Sequence, residues 1–161
     1  MEVNIKVKNL ENLNKSLKDI QNKVQDTEPL MAELSNHLYN IVENSFETQS
    51  SPDGKAWSPI KQATYKNYKL PTDKLLYKSG NMQDSLNRDF DSNSATVGLN
   101  AVNGDFQYPL THQFGTDNAF GKGITIEARP FMPIKNDGSL YDGVEDELVD
   151  IFEDYIEDAL K

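Results

Sequence analysis

The sequence of 161 residues lacks cysteine altogether and contains only two histidines, His37 and His112. Without cysteine, the chain can form neither disulfides nor thiolate metal sites, and it has no cysteine nucleophile. Two histidines alone also leave little for a zinc site. These absences exclude several classes of enzyme and of metal-stabilised protein, and we expect neither a metal nor a cofactor.

Long apolar runs and an excess of basic residues are missing as well. No run approaches the roughly 20 apolar residues that span a bilayer, and the first residues lack the apolar core of a signal peptide. Lys and Arg number 16 against 26 Asp and Glu, which gives a formal net charge of −10. A protein that grips nucleic acid by its phosphates, or that docks on an anionic membrane, needs the opposite balance. We therefore expect a soluble, acidic protein made inside the cell, with no membrane partner.

Apolar spacing in the first third of the chain predicts a short strand and two helices. Apolar and polar residues alternate over residues 3–7, which is typical of a strand with one buried face. An amphipathic helix follows, with Asn9 as its candidate cap. Its apolar positions are Leu10, Leu13, Leu17, Ile20 and Val24. We interpret it as a helical arm packed on the domain, with a partner-binding helix as the alternative. The second helix is expected to begin near Thr27, with Pro29 in its first turn.

Turn-forming residues follow the second helix. Pro52-Asp53-Gly54 is typical of a β-turn, because proline presets φ and glycine tolerates conformations that other residues resist. Trp57, the only tryptophan, is interpreted as a core anchor near the second helix, and an interface anchor is the alternative. Residues 58–74 are expected to be irregular, with one helical turn near residues 62–67.

Alternating residues in the second half predict short strands joined by loops. Residues 82–99 are expected to form two strands, with Met82 on the first and a hairpin loop at residues 91–94. A further short strand is predicted at residues 124–126. Residues 100–106 and 115–123, which are rich in Gly and Asn, are expected to be mobile loops.

The last twenty residues predict an amphipathic helix. Asp142 is its candidate cap, because Glu145 stands at the capping-box spacing three residues later. Its apolar stripe comprises Leu148, Ile151, Phe152, Tyr155 and Ala159. Acidic residues fill the opposite side, and we interpret them as a solvated face rather than a metal site.

These elements predict a single α+β fold. A small, mostly antiparallel sheet would be packed by the long central helix and by the C-terminal amphipathic helix. Residues 1–27 would form an N-terminal strand and helix arm, and residues 28–161 the domain itself.

Catalytic motifs are scarce. The sequence contains no phosphate-binding Gly-rich loop, no nucleophile elbow and no HExxH motif. His37 is interpreted as a helix-surface residue. His112 could act as a general base, since histidine titrates near neutrality, but a structural, hydrogen-bonded histidine is favoured. We therefore expect no enzyme activity.

Several short motifs stand in a definite order between residues 30 and 135. They are Pro52-Asp53-Gly54 with Trp57, Ser79-Gly80 with Ser85-Leu86, His112-Gln113-Phe114-Gly115, and Arg129-Pro130-Phe131. The ordered set resembles the virion morphogenesis family of tailed phages, which are tail completion proteins of Mu-like phages and prophages. The resemblance implies no catalytic, cofactor-binding or metal-binding residues. Its candidate structural and interface residues are Trp57, His112, Gln113, Phe114, Gly115, Arg129, Pro130 and Phe131.

The resemblance also implies a place in the phage particle. The protein would be made in the cytoplasm of the host bacterium and would join the virion at the neck, where the tail meets the head. Expected partners are connector, tail tube or terminator proteins, together with further copies in a ring, expected to be a hexamer. Double-stranded DNA would pass through without specific binding, because an acidic lumen repels phosphate. The alternatives are an assembly chaperone that leaves the particle and a metal-dependent hydrolase.

Overall fold

The computed structural model describes residues 10–61, 64, 74–101, 108–158 and 160. Its helices are α1 (Leu10–Gln25), α2 (Glu28–Thr48), α3 (Asn81–Asp84), α4 (Tyr108–Phe114) and α5 (Val144–Glu157). Its strands are β1 (Leu86–Phe90), β2 (Ala95–Leu99), β3 (Thr116–Ala119) and β4 (Ile124–Ile126). The strands pair as two separate two-stranded antiparallel sheets, β1–β2 and β3–β4. The predicted α+β class with a small antiparallel sheet is confirmed.

Helix α2 is the element on which the rest of the fold packs. It begins after Thr27 with Pro29 in its first turn, as predicted. The β1–β2 hairpin and helix α5 both pack against it. Val42 and Phe46 on its buried face contribute to the main apolar core. The other buried members of that core are Trp57, Leu75, Met82, Ala101 and Phe131.

A tight turn brings Trp57 back to the end of α2. The predicted β-turn is confirmed, because the N–H of Gly54 donates to the carbonyl of Ser51 at 2.7 Å. Gln49 ends the helix in a left-handed conformation with φ of 54°. Its carbonyl then accepts the N–H of Trp57 at 2.9 Å. Two consecutive reversals of the chain thus fix the indole beside the helix.

The first hairpin is confirmed, except at its start. Residues 91–94 connect β1 to β2, and Leu86 pairs with Leu99. The carboxylate of Asp91 accepts the N–H groups of the loop, and these hydrogen bonds lower the pKa of Asp91. Met82 lies in helix α3 and not on the strand. The reason is local: Gly80 adopts a positive φ of 86°, and its carbonyl accepts the N–H of Asp84 at 2.9 Å, which closes a helical turn.

The segment at residues 115–123 is structured, in contrast to the predicted mobile loop. Residues 116–119 form β3, which pairs with β4 through Thr116–Ile126 and Ala119–Ile124. Ala119 is buried, and burial of its methyl group helps to fix the hairpin. The predicted strand at residues 124–126 is confirmed as β4. Of the other predicted loop, residues 102–106 lie outside the described residues.

The C-terminal helix is confirmed, but its predicted cap is wrong. Gly143, with φ of 88°, occupies the cap position and makes no side-chain cap hydrogen bond. The carboxylate of Asp142 instead accepts a hydrogen bond from Lys135 Nζ at 2.7 Å. Phe152 is exposed, so it does not belong to the buried stripe, whereas Leu148 and Ile151 are half-buried. Ala159 lies outside the described residues.

The N-terminal helix is confirmed as α1 and is attached mainly at its C-terminal end. Lys23 Nζ donates to the carbonyl of Tyr155 at 2.8 Å and lies 4.6 Å from the centre of that ring. The hydroxyl of Tyr155 donates to the carbonyl of Asp26 at 2.7 Å. The predicted strand at residues 3–7 and the Asn9 cap lie outside the described residues, as does the predicted turn near residues 62–67 apart from Thr64.

Candidate functional site

The candidate residues of the later motifs meet at one place, the segment formed by residues 129–132. Trp57 Nε1 donates to the carbonyl of Pro130 at 2.7 Å. Phe131 stacks on Phe46 with ring centres 5.0 Å apart, and Phe46 meets the indole edge-to-face at 6.0 Å. Phe131 is only 1% exposed. Trp57 is therefore a core anchor, as the sequence indicates, and the 129–132 segment closes the core over it.

Gln113 holds the same segment from the other side with four hydrogen bonds. Its Oε1 accepts the backbone N–H groups of Phe131 and Met132, both at 2.9 Å. Its Nε2 donates to the carbonyls of Met132 at 3.2 Å and Ile134 at 2.9 Å. A glutamine is usually exposed, but this one is 3% exposed, and its four bonds offset the loss of hydration. The side chain replaces a neighbouring strand as the hydrogen-bonding partner of this proline-bounded segment.

Arg129 connects three segments of the chain by donating hydrogen bonds to backbone carbonyls. Its N–H donates to the carbonyl of His112 at 2.6 Å. Its guanidinium donates through Nε to the carbonyl of Ser58 at 2.8 Å and through an Nη to that of Pro59 at 3.2 Å. The pKa of Arg129 is lowered, because the effect of burial exceeds the opposite effect of the nearby Glu127 carboxylate. The rigid guanidinium fork suits this role, which a lysine could not reproduce.

His112 is half-buried, with its Nδ1 atom fully covered, and it is neutral near pH 7. Burial, followed by the positive charge of Arg129, lowers its pKa to about 4. Its Nδ1 has no hydrogen-bond partner within the described parts of the chain, so the structural hydrogen bond predicted from the sequence is not found at this atom. A base with so low a pKa abstracts protons poorly at neutral pH. The environment of His112 therefore does not favour general base catalysis.

Gly115 is required at its position by both conformation and space. Its φ is +73°, and a Cβ there would lie 3.0 Å from the backbone nitrogen of Ala128 and from the carbonyl oxygen of Ile126. The neighbouring Phe114 is partly exposed and borders a groove of about 280 Å³. The groove is lined by Leu99, Asn100, Ala101, Pro109, Leu110, Gln113, Phe114, Phe131, Met132 and Ile134. The His-Gln-Phe-Gly motif thus places two side chains inward and one at the surface.

Sequence reasoning missed several partners of the site. Phe46 supplies the central ring. Hydrogen bonds from the site are accepted by the carbonyls of Ser58, Pro59, Met132 and Ile134. Only Phe46 carried a usable signal, since it lies on the apolar face of α2. Backbone carbonyls carry no residue-specific signal at all.

Other kinds of site receive no support from the part of the chain that is described. Its His, Asp and Glu residues form no group of three or more that could hold a metal ion. His37, predicted to be a helix-surface residue, is half-buried, and its Nε2 lies 2.9 Å from Glu147 Oε2 across the α2–α5 contact. Within the same described ranges, no helix is both long and apolar enough to cross a membrane.

Comparison with known proteins identifies the family. The model of the phage virion morphogenesis family matches residues 8–161. The chain belongs to the phage virion morphogenesis family. The family match extends beyond the motif-bearing residues 30–135 and includes both α1 and α5.

A curated relative and the solved structures complete the comparison. The "Mu-like prophage FluMu G protein 2" of Haemophilus influenzae is similar to the chain, with 25% identity over 130 residues, which cover 81% of this chain and 83% of that protein. No solved structure matches significantly. A role in phage morphogenesis therefore follows from the family as a whole.

Proposed function

We propose that the protein is a structural component of the virion that completes the tail at the head–tail junction. The observation that carries the proposal is family membership over residues 8–161, which include every motif on which the resemblance to tail completion proteins rests. The expected location is the neck of the particle. Expected neighbours are the connector, the tail tube or a terminator protein.

The geometry of the motifs supports a structural role over a catalytic one. Trp57, Gln113 and Arg129 direct their polar atoms at backbone groups of the chain itself. His112, the best candidate base, is half-buried and has a lowered pKa. Side chains whose polar atoms already bind the backbone hold the fold together and are not available to act on a substrate.

The charge of the protein supports a position beside DNA without attachment to it. The net charge is −10, and α5 alone carries seven carboxylates and no basic residue. Like charges repel phosphate, so a ring of about six copies around the channel would let DNA slide through. A ring lined by basic residues would instead hold it.

Deletion of the gene in the phage or prophage that encodes the protein tests the proposal. Electron microscopy should then show filled heads and separate tails in place of complete particles. Mass spectrometry of purified wild-type virions should detect the protein at a fixed copy number per particle. Complete, infectious particles after deletion would overturn the proposal. Absence from purified virions that do need the gene would favour the assembly chaperone instead.

A further inference from the structure

Helices α1 and α5 each carry a set of apolar side chains that is exposed on one side of the helix. On α1 these are Leu13, Leu17 and Val24, which are 55%, 55% and 59% exposed. On α5 they are Val149 and Phe152, which are 47% and 50% exposed. Their spacing of three, four or seven residues places each set on one side of its helix. We call these sets the α1 stripe and the α5 stripe.

The α1 stripe is not the face by which α1 contacts its own domain. The half-buried residues of that helix include Ser16, Asp19, Ile20 and Lys23, and Lys23 makes the contacts with Tyr155. At 3.6 residues per turn, this mostly polar face lies roughly 90° around the helix from the α1 stripe. The chain therefore uses three polar residues and Ile20 of α1 internally and leaves Leu13, Leu17 and Val24 exposed.

The α5 stripe is likewise separate from the inner face of α5. Val144 is buried, and Leu148 and Ile151 are half-buried, on the side that faces α2. The α5 stripe lies roughly 100° around the helix from these residues. α5 consequently has two apolar faces, of which its own domain covers one.

The charges of α1 and α5 indicate which surface each stripe contacts. α5 carries seven carboxylates and no basic residue, so a contact between two copies of α5 would set like charges against each other. α1 carries three lysines against two acids, and its stripe is flanked by the uncharged Asn14 and Gln21. A contact between two copies of α1 would leave both α5 stripes uncovered. Only a contact of α1 with α5 covers both stripes and sets a weakly basic helix against an acidic one.

We propose that the α1 stripe of one copy packs on the α5 stripe of a second copy of this chain. Because every copy carries both stripes, the contact closes either as a reciprocal dimer or as a head-to-tail ring. This inference rests on the proposed function only in that a tail component is present in several copies. Disulfide trapping of the purified protein tests the contact alone, and virion composition tests the function.

The absence of native cysteine makes disulfide trapping unambiguous. Leu17→Cys and Phe152→Cys are made in separate proteins, one of which carries an affinity tag, and the two are mixed at the highest concentration that stays in solution. After mild oxidation, the expected main product is the mixed disulfide between the two variants. Its yield should exceed those of both self-linked products severalfold, and a reductant should reverse it.

Matched controls come from the same helices. Lys18→Cys and Asp150→Cys are exposed and lie away from the stripes, so their mixture should give only a background yield. Unchanged melting temperatures of all four variants before oxidation establish that the folds are intact.

Four results would overturn the proposal. Self-linkage of Leu17→Cys as the main product would mean that α1 meets α1, and self-linkage of Phe152→Cys would mean that α5 meets α5. An intrachain disulfide as the main product of the Leu17→Cys/Phe152→Cys double variant would place α1 on its own α5. A yield no higher than in the control mixture would mean that the stripes do not meet.

Discussion

The indole Nε1 of Trp57 donates a hydrogen bond of 2.7 Å to the carbonyl oxygen of Pro130, 73 residues further along the chain. Proline has no N–H, so this carbonyl is the only backbone hydrogen-bonding group that Pro130 possesses. A single contact therefore satisfies both the indole and the proline while it closes the core. Truncation of the tryptophan would remove the packing and the hydrogen bond together.

Trp57→Ala should lower the free energy of unfolding by about 3–5 kcal/mol, as expected for a large buried aromatic residue. Trp57→Phe keeps most of the ring but removes the donor, and it should cost about 1–3 kcal/mol. Urea unfolding followed by circular dichroism measures both, since the variants lack the only tryptophan fluorophore. Leu110→Ala, at a largely exposed residue, serves as the control. An unchanged melt of Trp57→Ala would contradict the buried position of the indole.

Gln113→Leu should cost at least about 3 kcal/mol, because it leaves two backbone N–H groups and two carbonyls without their partner. Gln113→Glu tests the direction of these bonds. The new carboxylate would still accept from the N–H groups but would face two carbonyl oxygens. Its pKa in the folded state should therefore be raised, and the loss of stability relative to wild type should grow as the pH rises above about 4.3.

Chemical denaturation of Gln113→Glu between pH 5 and about 8 measures this trend. Gln21→Glu, at an exposed position of α1, is the matched control and should show little dependence on pH. A loss of stability that is constant with pH would show that the amide does not donate to the carbonyls.

Gly115→Ala and Gly121→Ala separate steric conflict from backbone strain. Both glycines have positive φ, +73° and +67°, but a Cβ at Gly121 would meet nothing within 4 Å. Gly121→Ala should therefore cost about 1–2 kcal/mol from conformation alone. Gly115→Ala should cost clearly more, because its Cβ would press on the backbone near Ala128. Thermal melts compare the stabilities of the two variants. Equal losses of stability would show that the backbone around Gly115 shifts to accommodate the Cβ.

Because of His112, the free energy of unfolding should decrease as the pH falls. Its pKa is about 4 in the folded protein and 6.5 as the ordinary value, so the unfolded chain binds more protons between these limits. The contribution is complete above about pH 6.5 and is lost as the pH falls towards 4, to a total of about 3 kcal/mol.

Denaturation of wild type and of His112→Gln across pH 4 to about 7 measures this contribution. The variant should have the shallower pH slope, whatever its absolute stability. Asp53 and Asp137, whose pKa values are also lowered by hydrogen bonds, change stability only around and below their ordinary value of 3.8. Equal slopes for the two proteins would contradict the partial burial of the imidazole and the lowering of its pKa.

Most elements of the fold could be predicted because their signals are local. The spacing of apolar residues predicted α2, and the turn residues Pro52 and Gly54 predicted the chain reversal after it. The predictions were wrong where contacts with residues distant in the sequence determine the local structure. Asp142 has the right spacing for a cap, but Lys135 binds its carboxylate. The β3–β4 hairpin has few apolar residues, and burial of Ala119 against the domain supports it.

The candidate site was predicted as a set of residues, but its connections were not. The ordered motifs identified Trp57, Gln113 and Arg129, which the fold does bring to one segment. Their partners are backbone groups up to 73 residues away, and such contacts cannot be predicted from a pattern of side chains. Whether these residues also contact other phage proteins stays a prediction.

The separation between Trp57 and the 129–132 segment also determines when the core can close. Ribosomes add about 5–20 residues per second, so the 73 residues between Trp57 and Pro130 take roughly 4–15 seconds to make. During that interval Phe46 and Trp57 have already been synthesised, but Phe131, their last aromatic neighbour, has not. The nascent chain therefore passes through a stage with an unfinished aromatic cluster, which is open to chaperones, to proteases and to other unfinished copies on the same messenger RNA.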